Sequence, residues 1–105
     1  MVQLTKDADK LLCCAYKMYL ERRKNGSSKD TAKEFEKTFY LSDKHLCDWQ
    51  DDDVSDTLIE LSKADLIRMD IIGNFGLKPS AIIYMENRFK NGLNEITDFI
   101  SKFIP

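Results

Sequence analysis

Residues 54–84, reading VSDTLIELSKADLIRMDIIGNFGLKPSAIIY, constrain the fold more than any other stretch of the chain. At its start, Val54, Leu58 and Leu61 recur at spacings of three and four, which is typical of the buried face of an amphipathic helix. The run LIRMDII at residues 66–72 follows, and its alternating side chains are typical of a strand. The stretch therefore begins with a helix and continues into a strand.

A turn and a second helix complete the same stretch. Gly73 and Asn74 tolerate positive φ, so they predict the turn of a β-hairpin, with residues 75–77 as the short returning strand. Pro79 then stands where proline suits the first turn of a helix. A helix, a hairpin and a helix in this order form the second half of a winged helix. We therefore expect a mainly α fold with a small β-hairpin and an extra C-terminal helix.

The N-terminal part predicts one long helix at residues 6–24. Thr5 is a suitable N-cap, and Asn25-Gly26 ends the pattern after a basic last turn. Between these limits the apolar residues recur at helical spacing, at Ala8, Leu11, Leu12, Ala15, Tyr16, Tyr19 and Leu20.

The segment between this helix and residue 50 predicts two short helical elements. Ser27-Ser28 would cap the first of them, a second helix that places Ala32, Phe35 and Phe39 on one face. The other is a single turn with Ser42 or Asp43 as its cap, and its apolar anchors are Leu41, Leu46 and Trp49. Asp51 or Asp52 is then the expected cap of the third helix.

The C-terminal segment is either a separate helix, about residues 93–104, or the continuation of one kinked helix, and we favour the separate helix because Asn91-Gly92 interrupts the preceding pattern. Two placements are open for its apolar face. The face either meets a second copy of the chain in a homodimer or folds back along the first helix. The dimer contacts would be Ile96, Phe99 and Phe103.

Composition indicates one globular domain over residues 1–105, with 43% hydrophobic and 32% charged residues. The core should include Leu12, Tyr16, Phe35, Leu58, Leu61, Ile67, Ile82 and Met85. No apolar run approaches the roughly 18 residues that span a bilayer, and the N-terminus lacks the pattern of a signal peptide. We therefore expect a cytoplasmic protein with reduced cysteines.

The sequence offers no set of residues suited to catalysis or to a cofactor. Asp43, His45 and Cys47 could suggest a metal cluster, but structural zinc needs four ligands, and no second pair accompanies them. A Cys47 nucleophile with His45 would lack an orienting carboxylate. We therefore expect a protein that is not an enzyme and that holds no metal or cofactor.

Three segments of the chain resemble a group of uncharacterised, small winged-helix-like proteins of Firmicutes, often carried by phages and mobile elements. The segments are TKDADKLLCCAYKMYLERRKNGSSKDTAKEF, LIELSKADLI and AIIYMENRFKNGLNEITDFISKF. The resemblance implies the fold and brings no catalytic or ligand motif with it. Asp65 stands where the more usual pattern has a glycine before the first wing strand. Lys78 stands where it has a threonine cap.

Charge is distributed unevenly and bears on partners. Residues 1–40 carry nine Lys/Arg and six Asp/Glu, whereas residues 41–70 carry three and nine. The third helix occupies the position of the DNA-recognition helix, yet its charge is strongly negative and would be repelled by phosphate. We therefore expect a protein-binding module that meets its partner through Asp52, Asp53, Asp56 and Glu60.

The alternative function is a DNA-binding transcriptional regulator of a phage or mobile element. Such a protein would have to dock through the first two helices and the wing. Its nucleic-acid contacts would be Arg22, Arg23, Lys29, Lys33 and Arg68.

Overall fold

The computed structural model describes residues 3–102, which form a mainly helical α+β domain. In chain order its elements are α1 (Lys6–Lys24), α2 (Lys29–Ala32), β1 (Glu34–Phe35), a 3₁₀ turn (Phe39–Ser42), α3 (Asp51–Lys63), β2 (Ile67–Met69), β3 (Phe75–Leu77), α4 (Pro79–Arg88) and α5 (Leu93–Ser101).

The first helix has the predicted bounds. The hydroxyl of Thr5 accepts a hydrogen bond from the backbone N–H of Ala8 at 3.2 Å, as an N-cap does. Leu11, Leu12 and the residues around them are fully buried, and α3, α4 and α5 all contact this helix. α1 is therefore the element on which the rest of the domain packs.

The predicted hairpin is confirmed, and it belongs to a three-stranded antiparallel sheet with the order β1-β3-β2. Arg68 lies opposite Gly76 in the β2–β3 pair, and Glu34 lies opposite Gly76 in the β1–β3 pair. The short strand β3 is therefore the centre of the sheet.

The predicted second helix is wrong beyond its first turn. Ser28 caps it as expected, but the helix ends at Ala32. Phe35 then joins the sheet, because its ring stacks on Phe75 with 5.0 Å between centroids, and the Lys33 carbonyl accepts a hydrogen bond from Leu77 N–H. The cross-strand aromatic pair overrides the helical spacing of the apolar residues.

Two local predictions around α3 need correction. Gln50 is the N-cap of α3, whereas Asp51 and Asp52 lie inside its first turn, where they complement the helix dipole. In the preceding segment, Leu41 is not an apolar anchor, because 58% of it is exposed. Leu46 is buried there as predicted.

The predicted core is confirmed except at one position, since Ile82 is only half-buried beside the core. The predicted break after α4 is also confirmed. Gly92 has a φ of 67°, and α5 begins at the next residue. Ile96 and Ile100 are buried, and α5 packs along α1. Among the described residues no helix is long and apolar enough to cross a membrane.

Candidate functional site

The outer face of α3 is acidic because the helix is strictly amphipathic. Val54, Leu58 and Leu61 turn inward and are at most 1% exposed. The outward positions include Asp52, Asp53 and Asp56, which are exposed, together with Ile59, which is 44% exposed. Three carboxylates therefore share one solvent-facing surface, which we call the α3 face and define as Asp52, Asp53, Asp56 and Ile59.

Glu60, which the sequence placed with these carboxylates, has a structural role. The Thr5 backbone N–H donates to one of its oxygens at 2.9 Å, and the Thr5 hydroxyl donates to the other at 2.8 Å. The carboxylate therefore fixes the start of α1 onto α3. Because both of its oxygens have an internal donor, Glu60 is less suited to contact a partner than the three aspartates.

The turn of the β2–β3 hairpin, residues 70–74, which we call the wing, is held in shape by one carboxylate. Asp70 Oδ1 accepts hydrogen bonds from the backbone N–H groups of Ile72, Gly73 and Asn74, each at 2.9 Å. Neither isoleucine contributes a core contact, since Ile71 is fully exposed and Ile72 is 69% exposed. The wing therefore displays two large apolar side chains on a well-ordered turn.

The segment that follows β1 connects the wing with the start of α3. Asn74 Oδ1 accepts a hydrogen bond from Lys37 N–H at 2.9 Å, and the Phe39 ring lies edge-on to Phe75 at 5.0 Å. The Tyr40 hydroxyl then donates to Asp51 Oδ1 at 3.2 Å. Lys37, Phe39 and Tyr40 thus link the wing to the N-terminal end of α3.

Arg22, the first residue proposed for nucleic-acid contact, forms hydrogen bonds within the chain. Its Nη1 donates to the carbonyl of Glu34 at 2.7 Å and to that of Ala32 at 3.3 Å. Its guanidinium also lies 4.4 Å from the centroid of the Phe35 ring. Arg22 therefore closes the turn between α2 and β1.

Three of the other four cations proposed for DNA contact have a partner within the chain, and Lys29 and Lys33 line the same cleft. Lys29 is exposed, at the edge of that cleft between α1 and α4. The rest have partners inside the chain: Arg68 with Glu34 at 2.7 Å, Lys33 with Asp30 at 3.5 Å, and Arg23 with the Ser27 carbonyl at 3.2 Å.

The residues predicted for a dimer interface differ in how much of their surface is exposed. Ile96 has no exposed surface within the single chain, so it is not available to a second copy, and its prediction as a dimer contact is corrected. Phe99 is half-buried, and its ring lies 5.2 Å from Phe89 and 4.7 Å from the Arg88 guanidinium. Phe103 lies outside the described residues.

The three cysteines differ in their burial. Cys13 and Cys14 are buried in α1, and burial raises the pKa of Cys14 to about 12 and that of Cys13 further, which disfavours the nucleophilic thiolate. Cys47 is exposed. Within residues 3–102, His, Cys, Asp and Glu side chains do not gather in a group that could hold a metal ion.

Sequence reasoning missed the exposure of Ile71 and Ile72, which it assigned to a strand. A signal was present, because both residues directly precede Gly73-Asn74 and so fall within the turn. Comparison of the chain with known protein families, curated proteins and solved structures found no match.

Proposed function

We propose that this chain is a non-enzymatic, winged-helix-like module that binds a protein partner through the α3 face. The observation that carries the proposal is the chemistry of that face. It presents Asp52, Asp53 and Asp56 around the partly exposed Ile59. Such a surface complements a partner surface that combines lysine or arginine with apolar groups.

The order of elements supports the winged-helix assignment. A helix precedes an edge strand, α3 precedes the hairpin, and the first strand pairs with the last in the order β1-β3-β2. In a winged helix, the helix at the position of α3 and the hairpin beside it form the surface that meets the ligand.

Charge argues for a protein partner in preference to DNA. From Asp51 to Lys63, α3 contains five carboxylates and one amine. A duplex presents about one phosphate charge per 1.7 Å, so this helix would be repelled from a groove. The basic residues that could compensate include Arg22 and Arg68, whose guanidinium groups already have partners within the chain.

A salt titration of DNA binding tests the choice between the two functions. The protein is titrated into a fluorescent duplex of random sequence between about 50 and 200 mM salt. We expect no saturable binding. Binding whose affinity falls steeply with salt would instead indicate phosphate contacts and the DNA-binding alternative.

A display experiment tests the α3 face directly. Binders are selected against the protein from a library of small helical domains with one randomised surface. We expect enrichment of Lys and Arg, and loss of binding to the triple variant Asp52→Asn, Asp53→Asn, Asp56→Asn. The matched control is Asp7→Asn, Glu86→Gln, Asp98→Asn, which removes the same charge from exposed sites elsewhere. Acidic binders, or equal loss with both variants, would contradict the proposal.

A further inference from the structure

A groove of about 930 Å³ lies beneath the wing, and its lining contains no residue of α3. Side chains of α1, β1, the 3₁₀ turn and the hairpin line it. Its floor is apolar, formed by Met18, Phe35 and Phe39. A concave site of this size, with an apolar floor and a few polar groups, has the character of a ligand site.

Of the five exposed large apolar side chains among residues 3–102, one lines this groove and two lie on the wing beside it. Leu41, which is 58% exposed, is part of its lining. Asp70 and Asn74 line it as well, and they bracket the exposed Ile71 and Ile72 of the wing. Single exposed apolar residues are ordinary, but a group of them beside a groove indicates a surface that is covered when a partner binds.

The polar groups of the groove select for a cationic ligand. Its lining contains the carboxylates of Glu34, Glu36 and Asp70 and the guanidinium of Arg22, and Arg68 pairs with Glu34 at 2.7 Å, so the carboxylates exceed the cations by one. The Arg22 guanidinium is already hydrogen-bonded to backbone carbonyls. Four hydroxyl groups also line the groove, from Ser27, Thr31, Thr38 and Ser42. The Ser42 hydroxyl donates to the Phe39 carbonyl and the Thr31 hydroxyl accepts from Ser28, so Ser27 and Thr38 are better suited to hydrogen-bond a peptide backbone.

We propose that this groove binds a short peptide segment of a partner protein, one that carries Lys or Arg next to an apolar side chain. The cation lies near Glu36 and Asp70, and the apolar side chain contacts Leu41 and Ile72. The inference rests on the proposed function as a protein-binding module, but it concerns a second contact surface. The groove binds a linear peptide segment, whereas the α3 face binds the surface of a folded domain.

Selection from a random peptide library displayed on phage tests the groove. The full-length protein is the target, and enriched peptides are synthesised and titrated by fluorescence anisotropy. We expect each enriched peptide to combine Lys or Arg with a large apolar residue. Glu36→Lys and Leu41→Ser should each weaken binding by about tenfold or more, because one reverses a groove charge and the other removes an apolar contact.

Matched controls make the same changes elsewhere on the surface. Glu86→Lys reverses an exposed carboxylate on α4, and Ile83→Ser removes an isoleucine on the same helix that is 57% exposed. Both controls should bind the peptides like the wild type. All four substitutions lie at exposed positions, so thermal melts are expected to show folded proteins.

The outcomes separate this proposal from the proposed function. Failure to enrich peptides, or enrichment of acidic peptides, overturns the groove as a peptide site. Peptide binding that is weakened by neutralising Asp52, Asp53 and Asp56, but not by Glu36→Lys, also overturns the groove as a peptide site. In that case the α3 face is the contact surface. DNA binding in the salt titration counts against the proposed function and does not depend on the peptide result.

Discussion

Arg88 and Asp9, which are 79 residues apart in sequence, form a two-point ion pair. The two terminal nitrogens of Arg88 donate to the two carboxylate oxygens of Asp9, at 2.5 and 3.0 Å. The same guanidinium lies 5.0 Å from the Phe89 ring and 4.7 Å from the Phe99 ring. One side chain therefore connects α1, α4 and α5.

Replacement of Arg88 by methionine should lower the free energy of unfolding by about 1–3 kcal/mol, since it leaves a part-buried carboxylate without its charged donor. Urea melts give this value, and a double-mutant cycle with Asp9→Asn should show coupling of about 1–2 kcal/mol. Lys90→Met, at an exposed position near the end of α4, is the control, with a change under about 0.5 kcal/mol. Additive effects of the Arg88 and Asp9 substitutions would mean that the pair contributes no stability.

Leu58 and Leu61 should be costly to truncate, because they are 1% and 0% exposed between α3 and the rest of the core. Leu58→Ala or Leu61→Ala should lower the free energy of unfolding in urea by about 2–5 kcal/mol. Ile59→Ala on the same helix is the control, with a loss of about 1 kcal/mol or less, because Ile59 is 44% exposed. Equal losses at positions 58 and 59 would show that the buried face of α3 is assigned wrongly.

Asp65 adopts a φ of 64° between α3 and β2, a conformation that favours glycine. Asp65→Gly should therefore be at least as stable as the wild type in thermal melts, although it removes an exposed ion pair with Lys78. Asp65→Val should lose about 1–2 kcal/mol, because a β-branched residue is strained there. Lys78→Met removes the ion pair alone, so a large loss in that control would assign the effect to charge instead of backbone strain.

His45 should make stability depend on pH. Burial lowers the pKa of His45, so the folded protein binds this proton less readily than the unfolded chain. Above about pH 6.5 both states are neutral at this position and no penalty arises. The penalty appears as the pH falls below that value. Urea melts between about pH 7 and 5.5 should show a flatter dependence for His45→Gln than for the wild type, and identical slopes would contradict this explanation.

The tail should leave the protein monomeric. Ile96 and Ile100 already bury their side chains in the core, and α5 packs along α1, so neither isoleucine is available to a dimer through α5. Sedimentation velocity of the wild type and of Phe99→Glu should give the same monomer mass at high micromolar concentration. A wild-type dimer that the substitution dissociates would support the homodimer, one of the two placements that the sequence left open.

Local patterns were enough to predict α1, the hairpin and the break at Gly92, because each depends on nearby residues. The caps and periodicity of α1 are contiguous, and the Gly73-Asn74 turn lies between its own strands. Strand β1 was not predictable in this way. Its pairing of Phe35 with Phe75 joins segments 40 residues apart, and a two-residue strand has no periodicity of its own.

The features of the candidate site also divide into local ones, which the sequence predicts, and long-range ones, which it does not. The exposure of Asp52, Asp53 and Asp56 follows from helix periodicity alone, so the sequence was sufficient. The engagement of Glu60 by Thr5 and the groove beneath the wing are long-range features. They depend on how α1, the sheet and α3 are placed relative to one another, which one-dimensional patterns do not contain.

The carboxylate of Asp70 fixes the backbone shape of the wing, so this shape does not depend on which side chains stand at positions 71 and 72. Because Asp70 holds the backbone of residues 72–74, the residues at positions 71 and 72 can be substituted during evolution without altering the fold. Natural variants of this chain would then lose isoleucine there quickly unless something outside the protein favours it. Retention of apolar residues at these two positions, beside an invariant aspartate, would indicate selection by a binding partner.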